Sequence, residues 1–518
     1  MESVDDQSSR LQSSPDQRFH NEQVSRYTAH NQQHVFGHYD SLSSEEKSSL
    51  DSTLSKIDLT ALDDLFTTVM STPPVNPSDT SFRPFTGSTS SSYPNPATDT
   101  TASIIAKHRS IGLKAIRENK VACVLLSGGQ GTRLGFDGPK GAFDIGLPSG
   151  KCLFEIMIEK SRKLVELAHE ADDEVVGEGG EEISPKTKSQ ITWYIMTSPL
   201  NHSQHLEIFK SNDYFGLPPS SVVFFQQGVL PCLTTDGKII MTSKSEVAVA
   251  PDGNGGIYPA LISSGSLEDM KARGVEYLHI FAVDNVLVKV ADPIFVGYCV
   301  DLGVSVGNKV LWKRDASEKV GVVVEDTNTQ RPQVIEYSDM DATMKELKDE
   351  KGRLVYGAGN ICNHFLTVEF LDTVIRKNLK QIFHVAKKKI PYLSPCGGFT
   401  VKPEEVNGVK LESFIFDVFP MAGSGGKGEK GENGMAVLEV LRAHEFSPIK
   451  NSNSPSASLA DPTPDSPLAA LKMYSELCSF WCKEAGVEVD RWEKDGIVEI
   501  GGMLSYGGEG IMQIEGGE

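Results

Sequence analysis

Several features that would place this chain in a familiar class of protein are missing from it. Its eight cysteines include no C-x-x-C pair, which argues against a zinc site or a small disulfide framework and favours a reducing compartment. The N-terminus has no apolar signal segment, and no run of about 18 apolar residues occurs. No hexapeptide repeat is present, so a β-helix is not expected. These absences predict a cytoplasmic protein that neither crosses nor binds a membrane.

Positive charge is also scarce. The 518 residues include 50 Lys and Arg against 70 Asp and Glu, which gives a net charge of -20. Such a surface opposes nonspecific binding of nucleic acid, so no nucleic-acid partner is expected. It also repels free nucleotides, and any phosphate site must therefore gather its cations locally.

Composition divides the chain into four ranges. Residues 1–30 are rich in Ser, Gln and Asp, and we expect them to be disordered. Residues 31–100 combine a small helical module with a linker rich in Pro, Ser and Thr. A catalytic domain is expected over residues 101–400, followed by a C-terminal α+β domain over residues 401–518.

The chain is organised around residues 121–141, which read VACVLLSGGQGTRLGFDGPKG. An apolar run predicts a buried strand, and Gly128, Gly129 and Gly131 then predict a flexible loop. Glycines let the backbone approach an anion, while Arg133 and Lys140 supply positive charge, so the loop suits phosphate. Neither the P-loop pattern nor the dinucleotide fingerprint fits it. A glycine-rich surface turn is the alternative.

Predicted strands and helices alternate after this loop. The segments ITWYIMTS, SVVFFQQG and VEYLHIFAVDN predict strands, and helical patterns separate them. This alternation predicts an α/β fold with a doubly wound, mostly parallel, Rossmann-like sheet that binds ligands at the carboxyl ends of its strands.

Polar residues follow these strands and nearby glycine-rich turns. Gln227 ends FFQQG, where an amide could read a base edge, although a surface amide fits as well. Asp284 ends an apolar strand and could hold Mg²⁺ or cap a helix. In GAGNICNHF, Asn360 could bond sugar hydroxyls, whereas His364 fits a buried core histidine better than a base.

Taken in order, LSGGQGTRLGFDGPKG, FFQQG, PDGNGG, VDNVLVKVADP, GAGNICNHF, NGVK and FSPIK resemble the eukaryotic UDP-N-acetylhexosamine (UDP-N-acetylglucosamine) pyrophosphorylase family over roughly residues 100–510. The resemblance implies a UDP-N-acetylglucosamine diphosphorylase with a nucleotide-diphosphosugar transferase fold. Its substrates would be UTP and N-acetylglucosamine 1-phosphate, its cofactor Mg²⁺ with Mn²⁺ as a substitute, and its state a monomer or weak homodimer. The product would feed glycan, GPI-anchor or chitin synthesis.

The resemblance also assigns residues by motif. The implied catalytic cations are Arg133, Lys140 and Lys450. The implied nucleotide-binding residues are Leu126, Ser127, Gly128, Gly129, Lys140, Gln227, Gly253, Asp284 and Lys410, with Asp284 as the metal ligand. The implied sugar-binding residues are Asn254, Glu336, Tyr337, Asn360, Phe414, Phe416 and Lys450.

The chain departs from the family pattern at a few positions. Ser127 stands where Ala is expected, and Pro259 where a basic residue is expected. Residues 421–434 look like an inserted surface loop.

Three other functions remain open at this point. A UTP–glucose-1-phosphate uridylyltransferase or a broad UDP-sugar pyrophosphorylase would share the chemistry. The other two are a dinucleotide-binding oxidoreductase and a catalytically silent nucleotide-sugar sensor.

Overall fold

The computed structural model describes residues 15–71, 82–85, 90–92, 99–173, 189–378, 381–422 and 434–514. The chain splits into two compact units. The smaller unit comprises residues 1–73, 229–253 and 382–413, and the larger unit comprises residues 74–228, 254–381 and 414–518. Most of the expected insertion at 421–434 lies outside the described residues. Within the described ranges, no helix is long and apolar enough to cross a membrane.

The α-helices are, in chain order, α1 Pro15–Ala29, α2 Ser44–Ser55, α3 Leu59–Ser71, α4 Asp99–Arg117, α5 Leu153–Asp173, α6 His202–Ser211, α7 Ile257–Ser263, α8 Ser266–Ala272, α9 Pro293–Leu302, α10 Ala342–Glu346, α11 Val368–Phe370, α12 Arg376–Asn378, α13 Arg442–Glu445 and α14 Pro467–Glu484. A π-helical turn, Leu371–Ile375, joins α11 to α12. Short 3-10 helices relevant to the site are Thr132–Leu134, Lys140–Ala142 and Ile415–Met421.

The strands are β1 Phe82–Pro84, β2 Ser90–Ser92, β3 Val121–Leu126, β4 Thr192–Thr197, β5 Val222–Gln226, β6 Val229–Pro231, β7 Leu233–Thr234, β8 Val249–Pro251, β9 Tyr277–Ala282, β10 Val306–Trp312, β11 Val322–Asp326, β12 Arg331–Ile335, β13 Ala358–Thr367, β14 His384–Lys388, β15 Tyr392–Leu393, β16 Thr400–Val401, β17 Gly408–Glu412, β18 Met435–Glu439, β19 Glu493–Lys494 and β20 Ile497–Val498.

The larger unit is built on one mixed sheet, whose main path runs β2-β18-β10-β13-β9-β3-β4-β5. Strands β9, β3, β4 and β5 pair in parallel, and so do β2, β18 and β10. Strand β13 lies between the two parallel sets and is antiparallel to both neighbours. The expected α/β fold is confirmed, with β13 as a central antiparallel strand that alternation of predicted elements did not indicate.

Both faces of this sheet are buried, as a doubly wound fold requires. Alternate residues of β3 point to opposite faces, so that Val124 packs in one apolar core and Cys123 in the other. The first core includes α7, α8 and the 3-10 helix at 415–421. The second includes α4, α5, α6 and α9. Each side chain of β3 is buried, which explains why its sequence is an unbroken apolar run.

Helices α4 and α9 approach each other closely through two glycines. A Cβ at Gly112 would lie 2.0 Å from the carbonyl oxygen of Pro293, and one at Gly297 would lie 1.8 Å from that of His108. Helix α9 is itself bounded by sequence signals: Asp292 accepts the amide of Ile294 as its N-cap, and a glycine ends the helix in the left-handed region. Only glycine permits this helix crossing.

The C-terminal residues pack against the same unit as the sheet. Helix α14 shares an apolar cluster with Leu153 of α5, with Val286 and Leu287 after β9, and with Ile449. The compact units are therefore built from separated stretches of chain, whereas the ranges predicted from composition are contiguous. The predicted boundary at residue 400 stays a prediction.

The smaller unit combines the N-terminal helices with short sheets. Strands β14, β17 and β7 form one sheet, β6 pairs with β8, and β15 pairs with β16. One apolar core joins Leu50 of α2, Leu62 of α3, Leu233 of β7 and Val409 of β17. Helix α2 begins with a capping box between Ser43 and Glu46.

The expectation of disorder over residues 1–30 is wrong for residues 15–29, which form α1. Tyr27 is fully buried and donates a hydrogen bond to the carbonyl oxygen of Leu54 at 2.9 Å. His20 stacks on Tyr39 with ring centroids 3.6 Å apart. Aromatic contacts supplied by the following helices thus order a segment that is poor in aliphatic residues. Residues 1–14 lie outside the described ranges.

Candidate active site

The site begins at the carboxyl end of β3, where the phosphate loop, residues 127–131, leaves the sheet. Ser127 continues the ladder by donating its amide to Met196, and Gly131 donates to Gly138. Arg133 follows on the 3-10 helix Thr132–Leu134 with an exposed side chain. Among the described residues Arg133 has no ion-pair or hydrogen-bond partner, so its charge is available to a ligand.

Gln227 lies directly against this loop. It follows β5, the edge strand next to β4, and its amide donates to the carbonyl oxygen of Thr197 at 2.9 Å. A Cβ at Gly128 would come within 2.1 Å of Gln227 Oε1, so a larger residue here would displace the Gln227 side chain. The structure therefore brings together two residues, 99 positions apart in the chain, that the family resemblance assigned to the nucleotide.

A second cluster joins Lys140, Asp284 and the segment before Lys450. Lys140 Nζ donates to the carbonyl oxygen of Ile449 at 3.1 Å and lies 3.7 Å from Asp284 Oδ2. The amide of Ile449 in turn donates to the carbonyl oxygen of Asp284 at 2.9 Å. Lys450 is the next residue and has an exposed side chain. Lys140, Asp284 and the backbone just before Lys450 thus meet beyond the carboxyl ends of β3 and β9.

Two buried residues that sequence reasoning missed hold this cluster together. The Asn285 side chain donates to the carbonyl oxygen of Glu445 at 2.7 Å and accepts the amides of Ser447 at 2.9 Å and Leu287 at 3.3 Å. It therefore links the strand end that carries Asp284 to the segment that carries Lys450. In the sequence, the only feature that could have pointed to Asn285 is its position directly after the candidate carboxylate Asp284.

The other missed residue is Lys160 of α5. Its amine donates to the carbonyl oxygens of Val286 at 3.0 Å and Val288 at 3.2 Å, in the segment after Asp284. Burial lowers the pKa of Lys160 to about 8. A signal was present in the sequence, because Lys160 follows Met157 and precedes Leu164 at helical spacing, and so occupies an apolar-face position.

The predicted sugar-side residues group around Cys362. Asn254 Oδ1 accepts the amide of Ile415 at 3.0 Å, and its Nδ2 lies 3.8 Å from Cys362 Sγ. Burial raises the pKa of the Cys362 thiol to about 12; the nearby Asp284 carboxylate raises it further and Lys450 opposes it. The sugar-side group therefore adjoins the charged cluster.

Cys362 also has an unusual backbone. Its φ is +53°, a left-handed value that is rare for a non-glycine residue inside a strand. Asn360 accepts the Cys362 amide through Oδ1 at 3.2 Å. The sequence carried no signal for this conformation, because cysteine gives no local preference for it.

Three further sugar-side candidates are placed by contacts with one another or with Gly321, the residue before β11. The Phe414 and Phe416 rings stack with centroids 5.0 Å apart. Glu336 lies beside Gly321, where a Cβ would be 2.9 Å from Glu336 Oε1, and Gly321 accepts the amide of Asn360 at 2.8 Å.

Tyr337, which follows Glu336, is 37% exposed. Gly253 and Lys410 belong to the smaller unit. Gly253 has φ +91°, and a Cβ there would lie 2.2 Å from the carbonyl oxygen of Ser413. Lys410 lies half-buried on β17. The binding roles assigned to all three stay predictions.

His364 is fully buried beside Phe419, and neither ring nitrogen has a hydrogen-bond partner among the described residues. Burial lowers the pKa of His364 to about 3, so the ring is neutral. This placement fits the core histidine that the sequence analysis favoured over a base. No cluster of three or more His, Cys, Asp or Glu side chains in the described part of the chain could hold a metal by itself.

Comparison with known proteins gives consistent matches. A family model described as UTP–glucose-1-phosphate uridylyltransferase matches residues 93–502. UDP-N-acetylhexosamine pyrophosphorylase-like protein 1 of Homo sapiens is 41% identical over 419 residues, covering 77% of this chain and 76% of the human protein. UDP-N-acetylglucosamine diphosphorylase 2 of Arabidopsis thaliana is 42% identical over 410 residues, covering 78% and 74%. The solved uridine diphosphate N-acetylglucosamine pyrophosphorylase of Trypanosoma brucei is similar with a TM-score of 0.76 and 27% identity, covering 97% of this chain and 95% of that one.

Proposed function

The chain belongs to the UTP–glucose-1-phosphate uridylyltransferase family, among the UDP-N-acetylhexosamine pyrophosphorylases, and on this premise we propose the reaction that it catalyses. It transfers uridylyl from UTP to N-acetylglucosamine 1-phosphate and releases UDP-N-acetylglucosamine and pyrophosphate. The observation that carries the proposal is the meeting of Lys140, Asp284 and the Ile449–Lys450 backbone beside a glycine loop, followed by Arg133, whose side chain is exposed. Such a cluster suits a triphosphate and a sugar phosphate bound side by side.

The chemistry follows from charge. An oxygen of the sugar phosphate attacks the α-phosphorus of UTP, a new P–O bond forms, and the bond to the β-phosphate bridging oxygen breaks as pyrophosphate leaves with its electron pair. The nucleophile is already anionic, so no base is needed. The neutral, buried His364 is consistent with this. Arg133, Lys140 and Lys450 would supply the positive charge that stabilises the transition state.

Mg²⁺ belongs to the proposal as a cofactor, with Mn²⁺ as a substitute. Asp284 is the carboxylate that fits it, because Mg²⁺ in such sites takes one or two carboxylates and fills its other positions with phosphate oxygens and water. The ion would neutralise phosphate charge. Asp284 is partly exposed, and Lys140 Nζ lies 3.7 Å from its Oδ2.

Selectivity for an acetamido sugar is assigned to the Phe414–Phe416 pair and Asn254. The stacked rings offer an apolar wall of the kind that packs on an acetyl methyl group. Asn254 and Asn360 supply amide groups beside that wall. We assign the nucleotide base to Gln227, because it lies against the phosphate loop.

The wider setting remains part of the proposal. The eight free cysteines favour a reducing compartment such as the cytoplasm. A monomer or weak homodimer that acts on small molecules alone is proposed, without nucleic acid or membrane as partners. Its product would enter glycan, GPI-anchor or chitin synthesis.

The test measures pyrophosphate release from UTP and Mg²⁺ with N-acetylglucosamine, N-acetylgalactosamine or glucose 1-phosphate as the acceptor. Fast release with the acetamido sugars and slow release with glucose 1-phosphate is expected. Preference for glucose 1-phosphate would assign the chain to the glucose-specific branch of the family instead. Absence of release with every sugar, despite UTP binding, would support the sensor alternative.

A further inference from the structure

Three carbonyl oxygens of the phosphate loop accept hydrogen bonds from two side chains that lie just before α6. Asn201 Nδ2 lies 3.1 Å from the carbonyl oxygen of Ser127 and 3.4 Å from that of Gly129. Ser198 Oγ donates to the carbonyl oxygen between them, that of Gly128, at 3.1 Å. Two side chains thus donate hydrogen bonds to three successive carbonyl oxygens of the loop.

The amides of the same loop are left available. Within the described residues, the N–H groups of Gly128, Gly129 and Gln130 have no hydrogen-bond partner, and the position of a Cβ at Gly129 is open. A carbonyl oxygen facing a phosphate repels it, whereas an amide attracts it. Occupying the carbonyls therefore makes this loop a surface of hydrogen-bond donors.

Asn201 is itself fixed from several sides. It is 1% exposed, and its Oδ1 accepts the Ser198 amide at 2.9 Å. Its carbonyl oxygen lies 2.8 Å from His205 Nδ1 and can only accept, so Nδ1 carries the proton. His205 Nε2 therefore accepts from Ser127 Oγ at 2.8 Å. Asn201 and Ser127 are joined in a closed ring of hydrogen bonds.

We propose that Asn201 is a positioning residue that orients the phosphate loop toward the triphosphate, with Ser198 in a supporting role. The inference rests on the proposed function, since the loop is taken as the UTP phosphate site. Asn201 does not touch the nucleotide. It acts by keeping the carbonyl oxygens of Ser127 and Gly129 turned away from it.

The test compares Asn201→Leu, which keeps side-chain volume but removes both polar groups, with Asn212→Ala. Asn212 lies at the other end of α6, where it is exposed and its side chain donates to the carbonyl oxygen of Ile208 and to Ser211 Oγ. UTP affinity in the presence of Mg²⁺ is measured by calorimetry, KM for each substrate by pyrophosphate release, and stability by urea unfolding.

Asn201→Leu should weaken UTP binding about tenfold or more, as expected when donors to a charged ligand are misplaced, and change KM for N-acetylglucosamine 1-phosphate less than about twofold. Asn212→Ala should leave both substrates unaffected. UTP affinity within about twofold of wild type in Asn201→Leu, or an equal loss for both substrates, would overturn the inference.

If Asn201→Leu does not fold, a second variant tests the same inference. Ser198→Ala removes the hydroxyl that contacts the Gly128 carbonyl oxygen at 3.1 Å and Asn201 Oδ1 at 3.2 Å, and it should weaken UTP binding about threefold. Unchanged UTP affinity in that variant would overturn the inference. A wild-type protein that does not bind UTP would instead refute the proposed function, and the inference with it.

Discussion

Replacing Lys160 with methionine sets two opposing effects against each other. The change removes the donors to the carbonyl oxygens of Val286 and Val288, which are buried. Leaving two buried acceptors unsatisfied costs roughly 2–6 kcal/mol of the free energy of unfolding. The change also removes an amine that burial holds at a pKa of about 8 instead of 10.5. At pH 7, removing this buried charged amine raises the free energy of unfolding by about 3 kcal/mol.

The two effects differ in their dependence on pH. Because the folded-state pKa of Lys160 is lowered, the unfolded chain binds more protons between pH 8 and 10.5, and wild-type stability rises with pH in that window. Methionine lacks this contribution. Between pH 7 and pH 9.5, the free energy of unfolding of Lys160→Met should therefore fall by about 2 kcal/mol relative to that of the wild type.

The assay is urea unfolding of both proteins at pH 7 and pH 9.5. The free energy of unfolding of the variant is subtracted from that of the wild type at each pH, so that the contributions of the other titrating groups cancel. Lys163→Met, three residues further along the same helix, removes a lysine whose partner is the half-exposed Glu166 and should follow the wild type. Parallel pH dependences in wild type and Lys160→Met would refute the account of a buried amine holding the segment after Asp284.

Three further predictions use other parts of the chain. Arg133→Ala should lower kcat at least about a hundredfold, since one aimed charge is lost, while the free energy of unfolding changes by less than about 0.5 kcal/mol; a kcat change below a few-fold would exclude the role. Gly297→Ala should lower the free energy of unfolding by about 2 kcal/mol or more, because its methyl group would meet the His108 carbonyl, and a urea midpoint equal to wild type would contradict this. Burial holds the pKa of His364 at about 3, below its unfolded value, so stability is lost as pH falls below 6.5. Replacing His364 with leucine should remove about 2 kcal/mol of the loss between pH 7 and 5, as followed by thermal unfolding; an unchanged acid slope would exclude His364 as its source.

Much of the fold could be predicted from local pattern. The apolar run of β3, the alternating strands and helices after it, and the Asp292 cap of α9 all depend on residues a few positions apart. The antiparallel β13 could not be predicted in this way, because its place between β10 and β9 depends on pairing with strands more than 40 residues away in the chain. The helix α1 was missed for a similar reason, since its stability comes from contacts with α2 and the following turns.

The candidate site likewise combines features that local sequence predicts with features that depend on distant contacts. From the sequence alone one could predict where the glycine-rich loop after β3 lies, which cations follow it, and which segments carry polar residues at strand ends. Glycine, charge and periodicity express those features within a few residues. Tertiary structure alone decided that Lys140 contacts the Ile449 carbonyl 309 residues away, that Lys160 contacts Val286 126 residues away, and that Asn201 occupies the loop carbonyls. Such contacts follow from the order of strands in the sheet and the packing of helices on it, and no local pattern contains that information.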